Sequence, residues 1–360
     1  MNQSKTIVKK EKILVAMSGG VDSSVAAALL VDQGYDVTGA YMINYDSDGI
    51  TSAGESCWVP DYQDALRVAA KLGIPLLKLD FRIEYKKQVL DYMYKEYEVG
   101  RTPNPDVMCN KFIKFGVWLD KIKELGFDKM ATGHYAKVVE SRKSKVESYE
   151  LQMAKDVNKD QTYFLHQLSQ EQLVHTLFPL GNYNKDEVRE LAKKFDLPTA
   201  NKEESMGICF VGEVSMKDFL RDKVKVEKGD IITSSGEKIG EHDGLAFYTV
   251  GQRHGFEQVG GDRPLFVVDK DFGNNMLIVG YEDDPLLYKN EAQIEDVHWI
   301  GQSPKFPLKC KVRLRHRQEL KDCVVEGDKV TFNKPERAVT PGQFAVFYKD
   351  SECLGGGVIK

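Results

Sequence analysis

The stretch that most constrains this chain is Ile13-Leu14-Val15-Ala16-Met17-Ser18-Gly19-Gly20-Val21-Asp22-Ser23-Ser24. An apolar run that reads as a β-strand ends in two adjacent glycines, and a helical run from Val25 to Leu30 follows at once. A strand, a tight glycine turn and a helix start make a holder for anions. Glycine lets the backbone approach the ligand, and the N–H groups of the first turn point at it. Ser18, Ser23 and Ser24 add hydroxyl donors. The stretch lacks the Gly-Lys-Ser/Thr of a Walker A loop, and its glycines are adjacent rather than spaced as in GxGxxG. A plain strand-to-helix turn also fits these residues, so the remainder of the chain decides between the two.

Strand-like and helical runs alternate after the loop. Tyr35–Tyr41, Ile74–Leu79 and Lys129–Thr132 read as strands, and Asp61–Leu72, Ile83–Val99 and Asn110–Leu125 as helices. Alternation over ~130 residues predicts an α/β, Rossmann-like parallel sheet wrapped by helices, with ligands at the carboxyl ends of the strands. The glycine loop, Met42 and Gly133-His134 all sit at such ends. Tyr135–Val139 and Tyr149–Met153 predict a hairpin. From Gly212 glycine turns punctuate short β runs. The expected organisation is a catalytic α/β domain over 1–211, a small central β-rich domain over 212–283 and a C-terminal β-barrel over 284–360.

No apolar stretch in the 360 residues approaches the ~20 needed to span a bilayer, and Met1 to Lys12 has no apolar signal core. Both point to the cytoplasm and to no membrane partner. A net charge of -5 does not exclude nucleic acid, because charges are screened beyond about 8 Å and local patches count for more than the total. The six cysteines contain no CxxC pair, which argues against a zinc ribbon or an iron–sulfur cluster. Cys310, Cys323 and Cys353 lie in alternating apolar runs and read as buried strand residues. Cys57 receives no role.

Four other stretches carry chemistry. In Gly100-Arg101-Thr102-Pro103-Asn104-Pro105-Asp106-Val107-Met108-Cys109 the prolines predict a rigid extended loop, with Cys109 just ahead of a helix. A helix start lowers a thiol pKa, and Lys111 and Lys114 add positive charge. Asp106 is a proton acceptor or donor within reach in sequence. A structural cysteine in a turn fits these local features equally. Cys209 follows Gly207 and Lys202 at the α/β-to-β boundary, and alone it reads first as a core cysteine beside Ile208 and Phe210 rather than a reactive one. Lys309, Lys311, Arg313, Arg315 and Arg317 recur at period two, which predicts five cations on the outer face of one strand, suited to a phosphate backbone. The same alternation expects His316 on the inner face. Lys159-Asp160-Gln161-Thr162-Tyr163-Phe164 sets polar groups beside aromatics that can contact a base. Met42, His134 and Gln343 carry no signal of their own.

The set is more specific than its parts. SGGVDSS resembles the PP-loop of the ATP pyrophosphatases, which release AMP and pyrophosphate. SGGVDSS, GRTPNPDVMCNKFIKF, ATGHYA, KDQTYF, ESMGICFVGE, GEHDGL, YTVGQRHG and TPGQFAVFY, in this order, resemble the tRNA-specific 2-thiouridylases (MnmA, also called TrmU) from Lys12 to Ile359. That resemblance implies thiolation of C2 of the wobble uridine in tRNAs for Lys, Glu and Gln. It implies ATP with magnesium (Mg2+) on Ala16, Met17, Ser18, Gly19, Gly20, Val21, Asp22, Ser23, Ser24, Met42 and Gly133, without a side-chain motif for the metal. Cys209 would carry a persulfide supplied by a sulfur-relay protein or a cysteine desulfurase. Cys109 would be the second thiol, forming a transient Cys109–Cys209 disulfide or freeing sulfide, with Asp106 as acid/base. Asn104, Pro105 and Asp106 would meet the target base. His134, Lys159, Asp160, Gln161, Arg315, His316 and Gln343 would meet the rest of the tRNA. The chain departs from many relatives at Met206, where they have Thr, and at His316, where an aromatic often stands.

Two other readings stay open on sequence grounds. One is a PP-loop AMP-forming synthetase acting on a small molecule, which needs neither paired thiols nor a basic face. The other is a tRNA-binding protein with a relict nucleotide loop.

Overall fold

A computed structural model describes residues 10–46, 57–141, 147–203, 216–221, 223–224, 226–256 and 263–360. Cys209 and its neighbours lie outside them. The chain forms two compact units, one of residues 1–86 and 110–206 and one of residues 87–109 and 207–360.

The first unit is built on a five-stranded parallel sheet. Its strands are β1 (Lys12–Ala16), β2 (Asp36–Ile43), β3 (Leu76–Asp80), β4 (Lys129–Ala131) and a two-residue strand, Thr176–Leu177. The order is β3-β2-β1-β4 and then Thr176–Leu177. The chain runs outward from β1 to β2 and β3, then returns to place β4 on the other side of β1. The strand order therefore reverses at β1, and a crevice opens there at the carboxyl ends of β1 and β4. Helices α1 (Val21–Asp32) and α2 (Val59–Leu72) follow β1 and β2. Ile13, Val15, Val25, Ala28, Leu30, Ala131, Val188 and Ala192 fill the core, and the near-continuous apolar run of β1 reflects burial on both faces. The predicted hairpin forms as Ala136–Glu140 and Tyr149–Met153.

The second unit holds two β structures. The central one is a four-stranded sheet of Gly229–Thr233, Lys238–His242, Phe266–Asp271 and Met276–Gly280 around Ile231, Tyr248, Val267, Leu277 and Val279. The C-terminal one has six antiparallel strands, Tyr288–Trp299, Leu308–Arg313, Lys321–Glu326, Lys329–Arg337, Phe344–Lys349 and Glu352–Ile359. Tyr288–Trp299 pairs through its first half with Lys329–Arg337 and through its second half with Glu352–Ile359, which closes the barrel. Sequence periodicity starts this unit only near Ala292, because the first half of that strand is charged and exposed. Cys310, Cys323 and Cys353 are buried strand residues, as alternation predicts.

Two expectations fail. The basic strand ends at Arg313, so alternation does not extend to Arg315, His316 and Arg317. Arg313 is only 3 % exposed, with its guanidinium 5.3 Å over the Tyr348 ring. Arg317 has φ 65, so the chain turns there. Lys309 and Lys311 alone of the five lie exposed on the strand itself, and Lys311 pairs with Asp322 at 2.9 Å. The face of five cations does not form. The Pro-Asn-Pro loop also ends earlier than expected. A helical turn begins at Pro105, with Asn104 as its N-cap, and Cys109 opens a π-helical stretch to Val117. Proline suits the first helical position, where its missing N–H costs nothing. Cys109 is therefore one turn inside a helix, where the dipole effect has faded. Among the described residues no helix is long and apolar enough to cross a membrane.

Candidate active site

The glycine loop lies in the first unit. Gly20 is the N-cap of α1 and supplies no side-chain acceptor to the first-turn amides. A twelve-residue helix thus starts with uncapped N–H groups at the switch point of the sheet, which favours an anion. The loop is internally tied. Ser18 N donates to Ser23 Oγ at 3.2 Å, and Ser24 Oγ donates to Gly20 O at 2.7 Å. Ser23 and Ser24 are buried and Ser18 is exposed, so the three hydroxyls that read as donors from sequence divide into two braces and one exposed group. Gly133 comes up against α1 so closely that a Cβ there would lie 2.7 Å from Ser23 N. Met42 is buried, and its carbonyl accepts from Asn44 Nδ2 at 3.0 Å.

Two lysines flank this loop, and neither is assigned to it by sequence pattern. Lys185 Nζ reaches Asp22 at 2.8 and 3.0 Å, and Tyr135 Oη donates to the same carboxylate at 3.0 Å. Lys202 Nζ donates to Gly19 O at 3.1 Å and pairs with Asp61 and Asp64 at 2.7 and 2.6 Å. Burial works to lower the Lys202 ammonium pKa, but the two carboxylates outweigh it and hold it above the ordinary lysine range. Sequence proximity makes Lys202 charge support for Cys209, whereas its ammonium is committed to the phosphate loop and α2. Among the described residues no cluster of three His, Cys, Asp or Glu side chains could hold a metal ion.

His134 is buried beside the rings of Phe115 and Phe178, and Thr132 Oγ1 lies 2.7 Å from its Nδ1. Burial first, and the Lys114 charge second, push its pKa well below the ordinary histidine value, so the ring is neutral. Asp160 is 1 % exposed and accepts from Ala154 N and Thr162 Oγ1. Gln161 and Tyr135 exchange two bonds, at 2.9 and 3.0 Å. Both side chains brace the chain at this point, while Lys159 is half-buried. Lys111 Nζ donates to Gln167 Oε1 at 3.0 Å.

Residues 100–109, which end at Cys109, lie in the second unit. Asn104 Oδ1 accepts from Val107 N at 3.3 Å, and Asn104 Nδ2 lies 3.4 Å from Gln343 Oε1. Gln343 Nε2 donates to Thr102 O at 2.8 Å and Pro103 O at 3.2 Å. Asn104, Pro105 and Asp106 are half-buried, and Cys109 is fully buried. The structure thus joins Asn104 to Gln343 across 239 residues. Arg315 Nη2 donates to Val250 O, Ala338 O and Thr340 Oγ1 within 2.8 to 2.9 Å, tying the central sheet to the barrel. His316 is half-buried.

Residues 11–213 match the family described as tRNA methyl transferase HUP domain, residues 217–281 the tRNA methyl transferase PRC-barrel domain, and residues 289–359 the aminomethyltransferase beta-barrel domain. The protein called tRNA-specific 2-thiouridylase MnmA in Francisella tularensis subsp. holarctica (strain FTNF002-00 / FTA) is 47% identical over 365 residues, covering 98% of this chain and 100% of that one. The same name, identity and coverage hold for a relative in Francisella tularensis subsp. novicida (strain U112). Among solved structures, a 4-thiouridine synthetase–RNA complex with bound ATP is 18% identical with a TM-score of 0.36, covering 59% of this chain and 50% of that one. An NMN synthetase from Francisella tularensis is 18% identical with a TM-score of 0.34, covering 61% of this chain and 79% of that one. Likenesses this loose bear no functional weight. With all three domains matched in order and near-half identity along the full length, the chain belongs to the tRNA-specific 2-thiouridylase MnmA family.

Proposed function

We propose that the chain is an ATP-dependent, AMP-forming tRNA-uridine 2-sulfurtransferase acting on wobble uridine 34 of the tRNAs for Lys, Glu and Gln. The observation that carries this is 47% identity along the full length to proteins named for that activity. The family descriptions speak of methyl transfer. A phosphate-type loop together with the Cys109 strap suits adenylation and sulfur chemistry better.

The uncapped start of α1 and Ser18 take the phosphates of ATP, and magnesium enters with the nucleotide. Lys185 and Lys202 hold Asp22 and Gly19 of the loop in place. The uracil O2 attacks the α-phosphate and pyrophosphate leaves. This turns a poor leaving oxygen into AMP. The terminal sulfur of a Cys209 persulfide then attacks C2 and AMP leaves. Cys109 then attacks the Cys209 sulfur, closing a Cys109–Cys209 disulfide as the terminal sulfur departs with the base; in the other order Cys109 attacks the persulfide first, the same disulfide forms, and the freed sulfide is what attacks C2 and expels AMP. A reductant resets the pair. Asp106 moves the proton. Asn104 and Pro105 meet the base, and His134, Lys159, Asp160, Gln161, Arg315, His316 and Gln343 belong to the tRNA-binding surface or its support. A sulfur-relay protein or cysteine desulfurase supplies the persulfide, in the cytoplasm where ATP and tRNA are.

The test is reconstitution of the full chain with ATP, a sulfur source and unmodified tRNA, reading thiolated uridine and pyrophosphate. Thiolation dependent on Cys109 and Cys209 is expected. Pyrophosphate released without tRNA on a small acceptor would favour the small-molecule synthetase instead.

A further inference from the structure

The strap of residues 100–105 leads directly into the turn that carries Asp106 and Cys109, and it is anchored along its length within the second unit. At its far end the barrel holds it. Thr102 N donates to Pro341 O at 2.9 Å, and Gln343 takes Thr102 O, Pro103 O and Asn104. Arg101 pairs with Glu295 at 2.6 Å. The central sheet holds the near end. Thr249 Oγ1 lies 3.2 Å from Thr102 Oγ1, and Lys270 Nζ donates to Gly100 O at 2.6 Å and to Tyr248 O at 3.0 Å. The Phe272 ring lies against Gly100, where a Cβ would overlap it at 1.8 Å, and the Lys270 ammonium sits 5.5 Å from the centre of that ring.

Lys270 stands apart among these anchors. Its ammonium has no ion-pair partner among the described residues and is held by two carbonyls and an aromatic face. Burial pushes its pKa down to about 8, against the pull of Asp269. Removing a cation from water for two carbonyl bonds is costly, so a neutral residue would serve mere packing better. Sequence reading passes over Lys270 because a lysine in Val-Val-Asp-Lys-Asp looks like an outer strand position.

We propose that Lys270 is a positioning residue for sulfur transfer, clamping Gly100 so that the strap presents Asn104, Asp106 and Cys109 in one fixed geometry. This rests on the function proposed above. The clamp reaches the reaction through the strap and touches no substrate. Loosening it lets Cys109 sample positions from which transfer is unproductive, while the surface that binds tRNA elsewhere keeps its affinity. A misplacement of about 1 Å costs about 100-fold in rate in a site of this kind.

The test uses the full chain with Lys270→Met. Three measurements are made: the rate of Cys109 alkylation by iodoacetamide, read by peptide mass spectrometry; tRNA affinity; and the steady-state kinetics of tRNA thiolation, giving kcat and KM separately. The expected result is Cys109 labelling about tenfold faster through local opening, kcat down about 10- to 100-fold, and tRNA affinity within about twofold. Lys270→Arg, which keeps a charged donor, should recover most of the protection of Cys109. Gly342→Ala attacks the same strap from the barrel side, because its Cβ would lie 2.9 Å from Thr102 N, and it should give the same pattern. It decides the matter if Lys270→Met does not fold. Unchanged Cys109 labelling in a folded variant would overturn the clamp. Faster labelling with full kcat would overturn its part in the reaction. Equal losses of kcat, tRNA affinity and melting temperature would reduce Lys270 to a structural residue. The labelling arm needs no turnover, so it stands even where the sulfurtransferase reading fails.

Discussion

Asn104 Nδ2 points at Gln343 Oε1 across 3.4 Å, and the other end of the same glutamine amide donates to the carbonyls of Thr102 and Pro103. The family resemblance implies that both residues face RNA. In the structure they also bond to each other, and the barrel residue holds the strap that leads to Cys109.

Gln343→Leu removes both donors and the acceptor while keeping similar volume. It leaves the Thr102 and Pro103 carbonyls without their partner, at a cost of about 1–3 kcal/mol. Urea unfolding should show that loss. Thiolation should fall further than tRNA affinity, and a fall confined to tRNA affinity would return Gln343 to a plain RNA contact.

Gly133→Ala places a methyl group 2.7 Å from Ser23 N, against backbone that cannot rotate away. The start of α1 must shift, at about 1–3 kcal/mol for an overpacked site. The KM for ATP in tRNA-dependent pyrophosphate release should rise. An unchanged KM would show that this close approach has no bearing on the phosphate loop.

His134 gives a pH signature. Burial holds its folded pKa well below the ordinary 6.5, so the folded protein resists the proton that the unfolded chain accepts. Its contribution is therefore present above about pH 6.5 and is lost as pH falls towards the folded value, with a slope of at most about 1.4 kcal/mol per pH unit for one proton. Denaturant midpoints between about pH 7 and pH 5 should fall less steeply in His134→Gln than in the parent chain. Identical slopes would place the acid sensitivity elsewhere.

Arg313 and the exposed lysines of the same strand should separate. Arg313→Ala exposes a gap beside Tyr348 and should lower stability. Lys309→Ala with Lys311→Ala should leave stability within about 0.5 kcal/mol. If these lysines touch phosphates, the salt slope of tRNA binding drops by at most about 2. A larger salt effect from Arg313 than from the lysines would contradict its burial.

The glycine loop, the parallel sheet, the hairpin, the two β structures and the family itself are legible in the sequence. They rest on local signals: apolar period, turn residues and ordered short motifs. What the sequence misreads rests on partners far along the chain. The helix start at Pro105 is available in principle from Asn-Pro as cap and first position, but two prolines flanking one asparagine read first as breakers. Arg313 counts as an outer cation by alternation, yet the barrel's register puts Tyr348 beneath it. Lys185 and Lys270 look like solvated surface charge, and Lys202 like charge support for Cys209, until the fold brings Asp22, Gly100 and Gly19 to them. A lysine's meaning is set by what desolvates it and what its ammonium meets. The sequence alone therefore carries the family and, through it, the expected chemistry, while the tertiary structure determines which distant residues hold the glycine loop and the strap, because only the fold brings their partners together.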